Sequence, residues 1–319
     1  MNGSSMVVQV SGVGYKVSGL GQDLKASLLV QQNGFSGFRT LRPDFPRPII
    51  PSMAKNPWQQ RAQRAQALAS KHPFAAEILG FYVQIARFQE ELYQRLEVSS
   101  DRKTSHSQRT LPGPPELDEL KGSFESFLKL VEAKGPTRLA ESAREVHGES
   151  PANRSKLLDR CWSVAESSDP EAQIFLGRAF LQPYAEFVRT RSAMQWNGYS
   201  HSICPFCNRK PGLGVLRQQG DGSRRSLMCS FCLAEWDFRR IVCPGCGEEN
   251  NAKLPVYTAE GFDYIRVECC DTCKSYLKGI DLTKNGLAEP VVDEIASVPL
   301  DLWAQEHGYA KFERNLFGM

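Results

Sequence analysis

The 319 residues are enough for two or three domains, and 41% hydrophobic content is ordinary for a globular protein that builds its own core. With 39 basic against 36 acidic residues, the net charge of +3 is too small to imply a nucleic-acid or membrane-surface partner. No stretch approaches the ~18 consecutive apolar residues of a membrane span, and the opening MNGSSMVVQVSGVGYKV lacks a basic region followed by an apolar block, so a cytoplasmic location is expected.

Residues 1–52 alternate weakly and then run into Pro43, Pro46, Pro48 and Pro51, which forbid a continuous helix. Gly12, Gly14 and Gly19 miss the spacing of a phosphate-binding loop, so they are expected to be turn glycines. This segment is expected to be a poorly defined extension, and Met53 offers a later translation start.

At Asn56-Pro57 the pattern changes to a helix entry, an N-cap residue followed by proline at the first helical position. Pro73 permits a second start. Ile78, Phe81, Tyr82, Ile85, Phe88, Leu92 and Leu96 then recur at steps of three and four, placing them on the buried stripe of a helix that runs to about residue 97. A polar, proline-rich loop is expected at 99–115. Beyond it LDELKGSFESFLKLVEA, NRSKLLDRCWSVAES and AQIFLGRAFLQPYAEFVRTRSAMQW carry helical periodicity, and Pro183 is expected to kink or break the last of these. Cys161, beside Trp162, is expected to be a small buried hydrophobe.

Helical periodicity stops at Asn197-Gly198, and four C-x-x-C pairs follow: Cys204/Cys207, Cys229/Cys232, Cys243/Cys246 and Cys270/Cys273. In a reducing compartment, the ten cysteines of the chain are better suited to metal ligation than to disulfides. A thioredoxin-type dithiol would sit singly in a βαβ pattern, which is absent. Tetrahedral sites of four soft thiolates suit zinc or iron, and eight thiolates make two such sites. The pairs are separated by 21, 10 and 23 residues. The two long gaps each accommodate a small sheet, so the first pair is expected to join the second, and the third the fourth. LGVLRQQGDGSRRSLMC reads as a hairpin turning at GDG, with Val215, Leu216 and Leu227 on its arms, and LPVYTAEGFDYIRVEC repeats the plan around EG. Asn208 and Gly247 follow the leading pairs, where the knuckle needs a left-handed residue. At the end of the chain, Pro290 can begin a helix with Val291, Val292, Ile295 and Val298 on its stripe, and Pro299 a second one ending at Gly308.

The fold class expected is therefore α+β: an all-helical N-terminal domain, two tandem rubredoxin-like or zinc-ribbon metal modules, and a short C-terminal helical segment. The corresponding boundaries are 1–52 for the extension, 53–199, 200–241, 242–285 and 286–319. Each four-cysteine site would hold one iron or zinc ion, two per chain.

Zinc ribbons often bind nucleic acid. Residues 200–280, however, carry 11 basic against 9 acidic side chains, and two tetrathiolate sites add about −2 each. The metallated region is then near −2, which argues against phosphate tracking; Arg224, Arg225, Arg239 and Arg240 are expected to form a solvated face. His72, His106, His147, His201 and His307 are scattered, G-x-S-x-G is absent, and a four-cysteine site leaves no open coordination position, so no catalytic residues are assigned. His201 is expected at the surface. A nucleic-acid binder and a rubredoxin-like electron carrier stay as alternatives.

CPFC with Pro211 behind it, CSFCLAEWDFRRIVCPGC, CDTCKSYLK and DLWAQEHGY together resemble the formate dehydrogenase accessory protein family FdhE, across roughly residues 56–317 and most closely over 204–309. The resemblance implies an α-helical N-terminal domain, two rubredoxin-like modules, and a cytoplasmic assembly factor that contacts the catalytic subunit of a molybdenum- or tungsten-dependent formate dehydrogenase. Such a factor does not itself oxidise formate. By position, the metal cysteines are Cys204, Cys207, Cys229, Cys232, Cys243, Cys246, Cys270 and Cys273. Asn208 stands where the family usually has glycine, and Cys269 where it has no cysteine; the reach of the x-x turn favours Cys270 over Cys269. Trp236, Tyr276 and Trp303 are candidate partner contacts, and a homo-oligomer is left open.

Overall fold

The computed structural model of the chain describes residues 6–10, 13–17, 28–30, 56–100, 121–164, 168–192 and 194–319. Most of the extension, including Met53, lies outside them. Within it, β1 (Met6–Val10) pairs antiparallel with β2 (Val13–Val17), and β3 (Leu28–Val30) pairs with a strand described below.

The helical layer starts where its capping residues dictate. The Asn56 side chain accepts a hydrogen bond from Trp58 N at 3.0 Å, and Pro57 opens α1 (Pro57–Lys71). After one 3-10 turn at Pro73–Ala75, α2 (Ala76–Ser100) carries the expected stripe: Ile78, Phe81, Tyr82, Ile85, Leu92 and Leu96 are buried and Phe88 partly so. Of the loop expected at 99–115, Ser99 and Ser100 belong to α2 and the rest lies outside the described residues. The layer is completed by α3 (Lys121–Lys134), α4 (Thr137–Gly148), α5 (Pro151–Trp162) and α6 (Glu171–Arg191).

Pro183 does not break α6. Proline removes the hydrogen bond to the carbonyl four residues earlier, here that of Ala179. Gln89 Nε2, from α2, donates to that carbonyl at 2.7 Å instead. A side chain 90 positions from the carbonyl makes good the missing backbone donor.

The sheet is built from β4 (Pro211–Gln219), β5 (Gly222–Cys229), β6 (Glu235–Asp237), β7 (Val256–Ala259), β8 (Ile265–Cys270), β9 (Ser275–Asp281) and β10 (Ala310–Lys311). The β4–β5 and β7–β8 hairpins turn at the two places their Gly-containing turns require. The two modules share one sheet of order β3-β7-β8-β9-β4-β5-β6, with β10 added parallel to β9. The join is the parallel pairing of β4 with β9, at Gly214↔Gly279, Val215↔Ile280 and Leu216↔Asp281. Nothing in a local pattern announces that contact, because it pairs residues 65 positions apart.

Two short helices, α7 (Pro290–Ala296) and α8 (Val298–Glu306), cover the sheet, with Val292, Ile295 and Val298 buried. The last residues then return to the helical layer, where Phe317 stacks on Phe175 at 5.4 Å and meets Phe81 and Tyr82 edge-on. One apolar core unites the helices with the first cysteine region, and a second lies between β7–β9 and α8. The fold is α+β, a helical N-terminal region followed by two zinc-ribbon-type units.

Candidate metal centres

Both units follow one plan. A leading C-x-x-C turn precedes a hairpin, and a trailing C-x-x-C turn closes its second strand and leads into a third. In the first unit the leading turn lies before β4, Cys229 ends β5, and Cys232 lies in the turn to β6. In the second the leading turn lies before β7, Cys270 ends β8, and Cys273 lies in the turn to β9. Folding thereby gathers Cys204, Cys207, Cys229 and Cys232 into one group and Cys243, Cys246, Cys270 and Cys273 into another, all Sγ atoms of a group within 4.8 Å of one another.

The distances fit a tetrahedral thiolate site. Zinc–sulfur bonds of about 2.3 Å put ligand sulfurs about 3.8 Å apart. The chain places Cys204 and Cys232 at 3.6 Å, Cys207 and Cys229 at 3.3 Å, Cys243 and Cys273 at 3.7 Å, and Cys246 and Cys270 at 3.6 Å. Backbone amides also point at the sulfurs, from Cys207 to Cys204 Sγ at 3.5 Å, Phe231 to Cys229 Sγ at 3.4 Å and Gly245 to Cys243 Sγ at 3.3 Å. The donor set therefore suits a soft or borderline dication, and each group could hold one.

All four knuckles are closed by a left-handed residue: Asn208 (φ 58°), Leu233 (φ 53°), Gly247 (φ 77°) and Lys274 (φ 54°). Asn208 and Gly247 are residue types that advertise this conformation. Leu233 and Lys274 are not, and only their place after the second cysteine of a pair gives them away.

The first group is fully buried, whereas Cys246 and Cys273 of the second are exposed. The sulfurs of the first group are close enough for the ionisation of one to affect its neighbours. Hydrogen bonds from Cys204 and Cys229 push Cys207 up, and burial with its three neighbours pushes Cys232 up. Burial opposes ionisation of Cys229, but hydrogen bonds from the other three thiols hold it well below the usual thiol range. One thiolate is thus stabilised by its three neighbours.

Cys269 and Cys270 are consecutive on β8, so their side chains point to opposite faces. Cys270 joins the second group, while Cys269 is buried in the apolar core beside α8, where burial pushes its thiol up to about 12. Cys161 is likewise buried, its thiol raised to about 11 by burial, where α5 and α6 approach closely at Gly177. A Cβ on Gly177 would lie 2.4 Å from Cys161 Sγ.

Two of the three candidate partner contacts are corrected. Trp236 and Tyr276 are only 2% and 1% exposed; Trp236 Nε1 donates to His201 O at 2.9 Å and the Tyr276 hydroxyl to Asp301 Oδ1 at 2.8 Å. Each places its ring in the core and satisfies its polar tip there, so neither presents a surface. Trp303 is half-buried between His307 and Tyr257. His201 is exposed.

Of the expected arginine face, Arg224, Arg239 and Arg240 are exposed and only Arg225 is corrected. Arg224 pairs with Asp237, and Arg239 with Glu249 at 2.5 Å. Arg225 is not solvated: it is buried, donating to Glu268 Oε2 at 2.6 and 3.0 Å and to Arg239 O at 2.9 Å. Of the four, Arg240 is exposed with no ion pair among the described residues.

Long-range polar contacts tie these centres to the helices. Arg209, next after the left-handed Asn208, donates to the carbonyls of Cys161, Trp162 and Ser163 at 2.6–3.1 Å, capping the end of α5. Arg189 donates to Cys232 O at 2.9 Å. Behind the second group, Tyr276 and Lys278 point to the same face of β9 as the buried Ile280. Lys278 Nζ is wholly buried, donating to Glu294 O at 2.6 Å, Ser297 Oγ at 3.0 Å and Asp301 Oδ2 at 2.6 Å. The inward step of two from Tyr276 to Lys278 to Ile280 was the available signal.

Residues 203–240 match the family description "FdhE, central domain" and residues 241–317 "FdhE, C-terminal domain". The chain is 33% identical over 268 residues to the Protein FdhE homolog of Aquifex aeolicus, covering 80% of this chain and 93% of that relative. It is 27% identical over 278 residues to the homolog of Proteus mirabilis (84% and 90% covered) and 26% identical over 288 residues to Protein FdhE of Escherichia coli (85% and 90% covered). The crystal structure of the FdhE protein from Pseudomonas aeruginosa shares the fold, with a TM-score of 0.61 at 24% identity over 82% of this chain and 95% of that one. With a relative this similar along nearly its whole length, and the two cysteine groups lying within the matched regions, the chain belongs to the FdhE family.

Proposed function

We propose that this chain is a cytoplasmic accessory protein needed to mature an active formate dehydrogenase, and that it acts by binding the catalytic subunit of that enzyme. Its family membership carries the reading, and the two four-cysteine groups give it a physical basis. With Cys204, Cys207, Cys229 and Cys232 around one iron or zinc ion and Cys243, Cys246, Cys270 and Cys273 around another, every coordination position is taken by the protein. Such ions stabilise a surface and offer no open position to a substrate. No helix among the described residues is long and apolar enough to cross a membrane.

The pairing of Arg225 with Glu268 inside the fold, and of Arg224 with Asp237 and Arg239 with Glu249 at its surface, leaves little unpaired positive charge on this face for phosphates, which supports a protein partner over nucleic acid. Electron transfer is a second reading, favoured by the exposure of Cys246 and Cys273, which would bring an iron ion in that site close to solvent. Reversible one-electron reduction of an iron-loaded second site is its signature.

The test replaces the chromosomal copy by Cys270→Ala. Formate dehydrogenase activity is expected to fall although its catalytic subunit is still synthesised, and serine at this position is expected not to restore it, because a hydroxyl is a poor ligand for a soft site. Normal maturation by a stable protein lacking both metals would overturn the reading.

A further inference from the structure

A cavity of about 490 Å³ opens beside the second cysteine group, between the outer face of β8 and β9 and the link that joins the two units. Its volume is that of a site for a few side chains or a small ligand. Its floor carries Arg225, Arg266 and Glu268, and its rim carries Arg240 and Ile241. Three guanidinium groups therefore face one carboxylate. Arg225 is occupied by Glu268 at 2.6 Å, Arg266 stands off at 3.8 Å from the same carboxylate, and Arg240 has no ion pair among the described residues. The side chains leave an excess of about +2, which a metallated second group offsets by about −2. What recommends the cavity to a carboxylate is therefore not net charge but two guanidinium groups, those of Arg240 and Arg266, without a close carboxylate of their own.

The other walls are apolar. Leu254, Val256 and Phe312 line the cavity, and Ile241 at its rim is 51% exposed although it is a large hydrophobic residue. Exposed apolar surface beside unneutralised arginine is the composition of a protein-binding patch. Cys243 and Cys270 form part of the same wall, so the metal that orders the second unit also shapes this cavity.

We propose that this cavity is a client-binding site that takes a polypeptide segment in which an aspartate or glutamate lies next to an apolar side chain. The carboxylate is held by Arg240 and Arg266, and the apolar side chain packs against Ile241, Leu254 and Phe312. The proposal rests on the reading that the chain docks on another polypeptide, and it names the surface and the chemistry of that contact.

Two measurements test it on the full metal-loaded chain. The first is fluorescence anisotropy with a fluorescein-labelled peptide Gly-Glu-Leu-Glu-Leu-Glu-Gly and its counterpart with lysine in place of glutamate. The acidic peptide is expected to bind at least tenfold more tightly, and Arg240→Glu and Ile241→Glu, both at exposed positions, are each expected to weaken it at least tenfold while metal content and melting temperature hold. Equal binding of both peptides, no binding of either, or indifference to both substitutions overturns the proposal. The second is co-purification with the formate dehydrogenase catalytic subunit. If the wild type and both variants capture it equally, the cavity is not the client site although the accessory reading stands. If the wild type captures none, the accessory reading fails, and the cavity is judged on the peptides alone.

Discussion

Lys278 Nζ lies 2.6 Å from Asp301 Oδ2, and both side chains are buried. The pair is the centre of a network in which Lys311 also meets Asp301 at 3.0 Å, and Asn315 donates to Glu294 Oε2 at 2.6 Å. It binds β9, which follows directly from the second cysteine group, to α7, α8 and the chain end. Removing one partner of a buried ion pair leaves the other uncompensated, which costs about 3–5 kcal/mol. Lys278→Met is therefore expected to lower the urea midpoint of unfolding strongly, and a drop equivalent to less than about 1 kcal/mol would show that Lys311 alone suffices.

The same network sets a pH window. Burial opposes ionisation of Asp301, but Lys278 and Lys311 together hold its carboxyl below the ordinary value of 3.8. A depressed native value means that the stabilisation is complete above the ordinary value and is lost as pH falls through the lower one. Burial opposes protonation of Lys311, yet Asp301 and Glu294 raise it above 10.5, so its contribution is lost only as pH rises through that raised value. Urea midpoints should hold from about pH 5 to pH 10 as far as this network is concerned and fall below pH 4, and Asp301→Asn should flatten the acid decline while lowering stability at neutral pH.

Gln89 and Pro183 should be coupled. Gln89→Met leaves the buried Ala179 carbonyl without a donor, at a cost of about 1–3 kcal/mol. In a Pro183→Ala background an alanine amide can serve that carbonyl, so the same change should cost less. A double-mutant cycle by chemical denaturation measures the difference, and strict additivity would mean that the Gln89 bond contributes nothing specific.

Adjacent cysteines should differ sharply. Cys270→Ala is expected to leave about one tightly held metal ion per chain instead of two, because a tetrathiolate site loses a quarter of its donors. Cys269→Ala removes only a sulfur packed in an apolar core and should keep both ions with a loss of about 1 kcal/mol. Elemental analysis of protein purified without oxygen reads both outcomes.

The two sites should empty in order. With Cys246 and Cys273 exposed and the first group wholly buried, a chelator and an alkylating reagent both meet the second site first. Stopped-flow chelation is expected to show a fast and a slow equivalent of metal, with early alkylation mapped to Cys246 and Cys273 by mass spectrometry. Simultaneous release would mean that opening of the shared sheet, and not local access, limits the rate.

What the sequence alone determined is local in origin. Asn56 and Pro57 start a helix because a cap and a fixed φ act within one turn, the α2 stripe follows from 3.6-residue periodicity, and the cysteine spacing limits which pairs a small hairpin can bring to one ion. Asn208 and Gly247 were readable because few residue types tolerate a positive φ. The tertiary structure decided whatever depends on distant partners. Gln89 keeps α6 whole through Pro183, β4 meets β9 to fuse two sheets, Arg225 is drawn inward by Glu268, and Trp236 and Tyr276 are buried because His201 and Asp301 satisfy their polar tips. A residue's type sets what burying it costs, but the offsetting partner lies elsewhere in the chain and is supplied only when the fold brings it near.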